Sequence, residues 1–190
     1  SAAECYGDAR MPGHHPYPAR GKALPQGELE AFWRELRAHP LYYLIARTQY
    51  ELAARIREVL HLCGSDLMPD GTVCVRSLKR SNPRRPVVSP ELHAALCARQ
   101  AGKNYLFPGR TGRCVVRTCS GGHLCPSTVF REVQRAARKA GIDPGLCRTH
   151  VLRHTALIDE ARRHRSEPVN VQLQRIMRLS GHKSLRWALE

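Results

Sequence analysis

A short segment near the C-terminal end of the chain concentrates cationic and proton-transferring side chains. In "HVLRHT", residues 150–155, His150 and Arg153 are three positions apart and share one face if the segment is helical. A guanidinium can bind two phosphate oxygens at once, and an imidazole can exchange a proton near neutral pH. A second histidine follows a glycine at Gly181-His182. These residue types fit a reaction at a phosphodiester, because its transition state concentrates negative charge on non-bridging oxygens.

Such a reaction needs further cations from other parts of the chain. Arg55 lies beside an apolar stripe of helical period and is a candidate for the second guanidinium. Residues 76–85 contain no acid, and they contribute Arg76, Lys79, Arg80, Arg84 and Arg85. We interpret at least some of these cations as phosphate contacts, and a merely solvated hairpin is the alternative.

The overall charge points to a polyanionic partner. The 190 residues contain 31 Lys plus Arg against 16 Asp plus Glu, which gives a net charge of +15 and a pI near 10.1. Double-stranded DNA is the partner we expect from this excess. No apolar run approaches the roughly 18 residues of a membrane span, so we expect no membrane partner.

Periodicity and turn signals predict a mainly α (α+β) fold with a small antiparallel β-sheet. An apolar stripe predicts one core helix over roughly 49–63. The turns "MPDG" and "KRSNP" separate two or three short strands. Residues 1–21 are rich in Pro and Gly, which is typical of a linker or the tail of an upstream domain. The remaining residues, 22–190, are expected to form one domain.

Four segments in order resemble one protein family. "ARIREVLHLCGSDL" (54–67) resembles the first arginine box of the tyrosine recombinases, the phage integrase family, and "HVLRHT" matches their His-x-x-Arg-His-Thr box. "LSGHKSL" (179–185) resembles their Leu-x-Gly-His box. "LKRSNPRRPVVS" (78–89) is similar to the strand-turn-strand segment that carries their catalytic lysine. The resemblance covers about residues 22–190.

The resemblance implies the helical catalytic domain of DNA breaking-rejoining enzymes and a role for each matching residue. Arg55 and Arg153 would bind the scissile phosphate, and His150 and His182 would exchange protons there. Lys79 would protonate the departing 5′ oxygen. The implied activity is site-specific DNA recombination through a 3′-phosphotyrosine in a homotetramer on DNA, with no cofactor and no metal. A prokaryotic, cytoplasmic, DNA-associated protein from a mobile genetic element is the implied setting.

Two departures from the family pattern affect this interpretation. Ala53 stands where the family usually has Gly, and we expect a helix to tolerate that change. The nucleophilic tyrosine is expected directly after Glu190, so the chain would be a C-terminally incomplete catalytic domain, inactive without it. A non-catalytic DNA-binding regulator on the same fold is the first alternative. A type IB topoisomerase-like enzyme, which shares the chemistry, is the second.

One cysteine-rich segment offers a different kind of site. Four zinc-ligand candidates lie within twelve residues but lack a tight Cys-x-x-Cys pair: Cys114, Cys119, His123 and Cys125. We favour a loop that happens to be rich in cysteine. A zinc-stabilised nucleic-acid-binding module is the alternative that depends on this segment.

Overall fold

The computed structural model describes residues 23–76, 78, 82–99, 104–109, 122–148 and 150–181. Within these residues the chain is mainly α-helical, as the sequence predicts. The helices are α1 (Gln26–Leu36), α2 (Pro40–Glu51), α3 (Ile56–Leu60), α4 (Pro90–Cys97), α5 (Pro126–Lys139), α6 (Val151–Arg163) and α7 (Val169–Ser180). No helix in these ranges is both long enough and apolar enough to cross a membrane.

Helix α6 packs against α2 and α7, and α2 in turn packs against α1, α3, α4 and α5. Helix α1 also packs on α5. The segment that leads into α1 is also bound to α6, because the Leu24 N–H donates to Thr155 Oγ1 at 3.0 Å. Val151 and Leu152 on α6 are buried, and Arg153 is buried beside them. A charged side chain on this helix therefore faces the protein interior, where it needs partners.

The prediction of a single helix over 49–63 is wrong. Helix α2 ends at Glu51, and α3 begins only at Ile56. Between them the Ala53 N–H donates to Tyr50 O and the Ala54 N–H donates to Gln49 O, each at 3.0 Å. This is the Schellman pattern of a helix C-terminus, with Ala53 in the left-handed position at φ 42°. Leu52, Ala53 and Ala54 are buried, so the run of apolar residues continues through the turn and resembles that of one helix.

The predicted antiparallel pairing is present as single bridges. Val75 pairs with Arg84, Thr72 pairs with Val87, and Leu67 pairs with Val73. No continuous strand is assigned in the part of the chain that the structure describes. Val73 and Val75 are buried in the core. The bridge between Val75 and Arg84 turns the Arg84 side chain toward the same buried face.

Several predicted features lie outside the described residues. They are the predicted linker or tail over 1–21 and the chain beyond Gly181. His150 is the residue that immediately precedes α6.

Candidate phosphate site

The carboxylate of Glu58 is the point at which three arginine side chains meet. Arg55 is the N-cap residue of α3, and its backbone N–H donates to Glu58 Oε2 at 2.9 Å while its Nη1 donates to Oε1 at 3.0 Å. Arg84 Nη2 donates to Oε2 at 3.1 Å. Arg153 Nη1 is 3.9 Å from the same oxygen. The Glu58 side chain is fully buried and those of Arg84 and Arg153 nearly so, whereas 24% of the Arg55 side chain is exposed.

Arg153 is fixed by backbone carbonyls at both ends of its guanidinium. Nη1 donates to Ala53 O at 2.6 Å, and Nη2 donates to Ser180 O at 2.8 Å. Burial, with the charges of Arg55 and Arg84, lowers the pKa of Arg153 to about 10. The group remains protonated at neutral pH, because that value is still well above 7.

The site carries more positive than negative charge. Burial raises the pKa of Glu58, but the backbone hydrogen bond from Arg55 and the charges of Arg84 and Arg153 bring it below its ordinary value. Glu58 is therefore a carboxylate at neutral pH. Its one negative charge faces three guanidinium groups, and the same charges depress the pKa of Arg153. An anion placed against the arginines would relieve this repulsion.

A wide cleft opens beside the cluster. Its volume is about 1220 Å³, and Arg84 and Gly181 form part of its wall. Basic residues from α2, α6, α7 and the segment after Asn82 line it, including Arg47, Arg85, Arg163, Arg175 and Arg178. Glu51 and Glu160 are the acids in this lining. The cleft walls thus favour a polyanion.

A model of the phage integrase family matches residues 23–188. The chain belongs to the phage integrase family. A search of curated proteins finds no match to the sequence. The family assignment confirms the resemblance, and with it the class of tyrosine recombinases.

Solved structures of phage integrase relatives share the fold. XerA recombinase is similar with a TM-score of 0.65 at 22% identity, over 90% of this chain and 60% of XerA. The catalytic domain of bacteriophage HP1 integrase gives a TM-score of 0.59 at 20% identity, over 88% of this chain and 84% of that domain. XerH recombinase bound to its difH substrate in a pre-cleavage complex gives 0.67 at 18%, over 89% of this chain and 49% of XerH. The chain thus spans 60% of XerA and about half of XerH.

The site residues predicted from the phage integrase boxes fall into two groups. Three of them lie in the described part of the chain. Arg55 and Arg153 both lie against the Glu58 carboxylate, and His150 is exposed just before α6, one turn before Arg153. Its ring centroid is 6.4 Å from that of His154. Lys79 and His182 lie outside the described residues, so their predicted roles stay predictions.

The basic segment 76–85 does not present all its cations to solvent. Arg76 is exposed but bound to Asp66, with Nη2 to Oδ1 at 2.8 Å. Arg85 is exposed, whereas the Arg84 side chain is only 5% exposed and points inward to Glu58. The solvated-hairpin alternative therefore does not hold for Arg84, and the predicted phosphate contacts of these arginines stay predictions. Arg80 lies outside the described residues.

The zinc candidates are only partly covered by the structure. Cys114 and Cys119 lie outside the described residues. His123 contacts two other rings, with centroid distances of 4.3 Å to His61 and 5.7 Å to Tyr105. Cys125 Sγ is 3.0 Å from Ser127 Oγ. In the described ranges no three His, Cys, Asp or Glu residues are grouped to hold a metal, and the full candidate set is untested.

Glu58 belongs to the site but is not among the site residues predicted from the sequence. Its signal was present, because Glu58 lies three positions after Arg55 in the arginine box. In a short helix whose N-cap residue is Arg55, Glu58 is the third helical residue, and its carboxylate reaches back to the Arg55 backbone N–H. That relationship is not apparent when residues 49–63 are taken as one continuous helix.

Proposed function

We propose that this chain is the catalytic domain of a site-specific DNA recombinase and that Arg55 and Arg153 bind the phosphate at which strands are exchanged. The observation that supports this proposal is the meeting of the two guanidinium groups on Glu58, although 98 positions separate them in sequence. Two planar cations on a buried, fixed carboxylate are preorganised for the equatorial oxygens of a phosphodiester in its transition state.

The remaining steps follow from the chemistry of the family boxes. The phenol oxygen of a tyrosine attacks phosphorus, a new O–P bond forms, and the bond from phosphorus to the 5′ oxygen breaks. The phenol gives its proton to one of the two site histidines, His150 or His182, and Lys79 gives a proton to the 5′ oxygen so that it leaves as a hydroxyl. The 3′-phosphotyrosine keeps the energy of the broken ester, so rejoining needs no nucleotide cofactor.

The proposed partners follow from charge and from the structural relatives. A net charge of +15 supports binding to duplex DNA. XerH, which has the same fold, is bound to its difH substrate. We further propose that four copies assemble on DNA, that residues 22–190 are the catalytic unit, and that residues 1–21 link it to an upstream segment. We propose that the protein acts on DNA in the cytoplasm of a prokaryote.

The decisive experiment mixes a nicked suicide duplex with a protein extended beyond Glu190, so that it includes the proposed nucleophilic tyrosine. We expect a covalent protein–DNA adduct that forms with the wild type and is lost when the tyrosine is changed to phenylalanine. Arg55→Gln should reduce adduct formation by at least about 100-fold, the size of a lost transition-state charge contact.

Arg57→Gln is the matched control, because Arg57 is exposed and only two positions from Arg55. It should leave adduct formation within about twofold. Equal effects of Arg55→Gln and Arg57→Gln would contradict the proposed phosphate site. Tight DNA binding without any adduct would instead favour the non-catalytic regulator. Relaxation of supercoiled DNA without strand exchange would favour the topoisomerase-like enzyme.

A further inference from the structure

Arg84 joins the two parts of the candidate site that come from opposite ends of the domain. We infer that Arg84 is a positioning residue for the phosphate site: it binds Glu58 through its side chain, while its own segment is bound to Gly181 through the Asn82 backbone, and in this way it sets the orientation of Arg55 and Arg153. This inference rests on the proposed function, in which those two arginines bind phosphate.

The first contact of Arg84 is with the α2–α3 turn. Its Nη2 donates to Glu58 Oε2 at 3.1 Å and approaches Leu52 O and Ala53 O at 3.4 and 3.5 Å. Glu58 binds Arg55 through its other oxygen, Oε1, at 3.0 Å. The two carboxylate oxygens are rigidly linked, so a shift of the Oε2 partner rotates the group and moves the guanidinium of Arg55.

The second contact is with the end of α7. The Asn82 N–H donates to Gly181 O at 2.9 Å, so the backbone before Arg84 is bound to the helix terminus. A Cβ atom on Gly181 would lie 2.8 Å from Asn82 O and 3.2 Å from Arg84 Nη1. Only a glycine allows this approach. Arg153 holds the preceding residue, because its Nη2 donates to Ser180 O. Arg153 therefore binds Ser180 directly, whereas Arg84 packs beside Gly181 and is linked to it through the Asn82 backbone.

The energetics of Arg84 argue against a purely stabilising role. Its Nε and Nη1 are buried, and neither has a hydrogen-bond partner in the described part of the chain. Burial lowers its pKa, with partial compensation from Glu58. A buried cation with unsatisfied donors costs stability, and a buried ion pair commonly gives no more stability than apolar residues of equal size. Geometry, rather than stability, is what this side chain supplies.

The test records the arginine Nε–H resonances of the ¹⁵N-labelled 190-residue chain during titration with inorganic phosphate. In the wild type, the resonances of Arg55 and Arg153 should shift together with one dissociation constant. In Arg84→Gln, the Arg55 resonance should already be displaced without phosphate, and the dissociation constant should rise at least about fivefold. Arg57→Gln, which removes the same charge from an exposed position, should change the constant by less than about twofold.

Arg84→Lys provides the second variant if Arg84→Gln unfolds. Its ammonium can pair with Glu58 but lacks the second arm that lies against Gly181. We expect a folded protein with a phosphate affinity at least about threefold weaker. In a double-mutant cycle, Arg84→Gln should cost less when Arg55→Gln is already present than it costs alone, because part of its effect acts through Arg55.

The outcomes separate the two proposals. Unchanged Arg55 resonances and phosphate affinity in a folded Arg84 variant would overturn the positioning role and leave the phosphate site intact. Full additivity with Arg55→Gln would also overturn it. A wild-type chain in which neither Arg55 nor Arg153 responds to phosphate would overturn the proposed function together with this inference.

Discussion

The carbonyl oxygen of Ala53 accepts a 2.6 Å hydrogen bond from Nη1 of Arg153, which is 100 positions away in sequence. The chain reverses at Ala53 through a left-handed conformation, with φ at 42°. A continuous helix would bind this carbonyl to its own backbone four residues later. The break between α2 and α3 therefore does two things: it frees a carbonyl for one arginine of the site and makes Arg55, the other, the N-cap residue of α3.

We predict that Ala53→Gly is nearly neutral for stability. Glycine adopts the left-handed conformation without the roughly 1 kcal/mol cost that a side chain adds, and this gain offsets the loss of a buried methyl group. Ala137→Gly is the matched control, because Ala137 is equally buried but lies inside α5. That change should cost about 1–2 kcal/mol in the free energy of unfolding measured with urea. A similar loss at both positions would contradict the conformation assigned to Ala53.

Gly181→Ala should destabilise the protein by at least about 2 kcal/mol. The substitution combines a positive φ of 70° with a Cβ atom placed 2.8 Å from Asn82 O. Gly141 ends α5 with a φ of 72° and has no atom within 4 Å of a built Cβ. Gly141→Ala should therefore cost only about 1 kcal/mol. Thermal unfolding of the two variants isolates the contact between α7 and the segment containing Asn82, and equal losses would argue against that contact.

The sequence predicts the helices better than it predicts the connections between them. The mainly helical content agrees with apolar periodicity, as in α1, where Leu29, Phe32, Trp33 and Leu36 recur at helical spacing and are buried. The break at Ala53 could not be predicted, because alanine is the strongest helix former and rarely adopts the left-handed conformation seen here. The helix over 49–63 was wrong for that reason.

Charge patterns are equally ambiguous for individual residues. Arg84 and Arg85 are adjacent in an acid-free run, yet one is buried against Glu58 and the other is exposed. Their alternation follows from the bridge between Val75 and Arg84, which turns neighbouring side chains to opposite faces. Pairing register is a property of the fold, and composition alone does not determine it.

The stability contributed by Glu58 should depend on pH. Its pKa in the folded protein is lowered from 4.5, so its contribution is complete above about pH 4.5 and is lost as the pH falls through the folded value. Glu58→Gln should cost about 3 kcal/mol at pH 7, since it leaves buried arginines uncompensated. The difference from the wild type should shrink below about pH 4.5. Urea denaturation at a series of pH values tests this, with Glu30→Gln, an exposed change, as the control.

A constant difference between Glu58→Gln and the wild type at all pH values would show that Glu58 does not titrate as a paired carboxylate. Glu30→Gln should stay within about 0.5 kcal/mol of the wild type throughout, because surface substitutions rarely exceed that.

Duplex DNA binding should weaken steeply with salt. Each neutralised phosphate contributes roughly 0.9 to the slope of log affinity against log salt. If exposed Arg85 contacts a phosphate, Arg85→Gln should reduce the slope by about 0.9. Arg135→Gln removes the same charge from α5, where Arg135 is paired with Glu132 at 2.8 Å, and should leave the slope unchanged. Fluorescence anisotropy between 50 and 200 mM salt measures both, and equal slopes for the two variants would assign the effect to net charge rather than to a contact at Arg85.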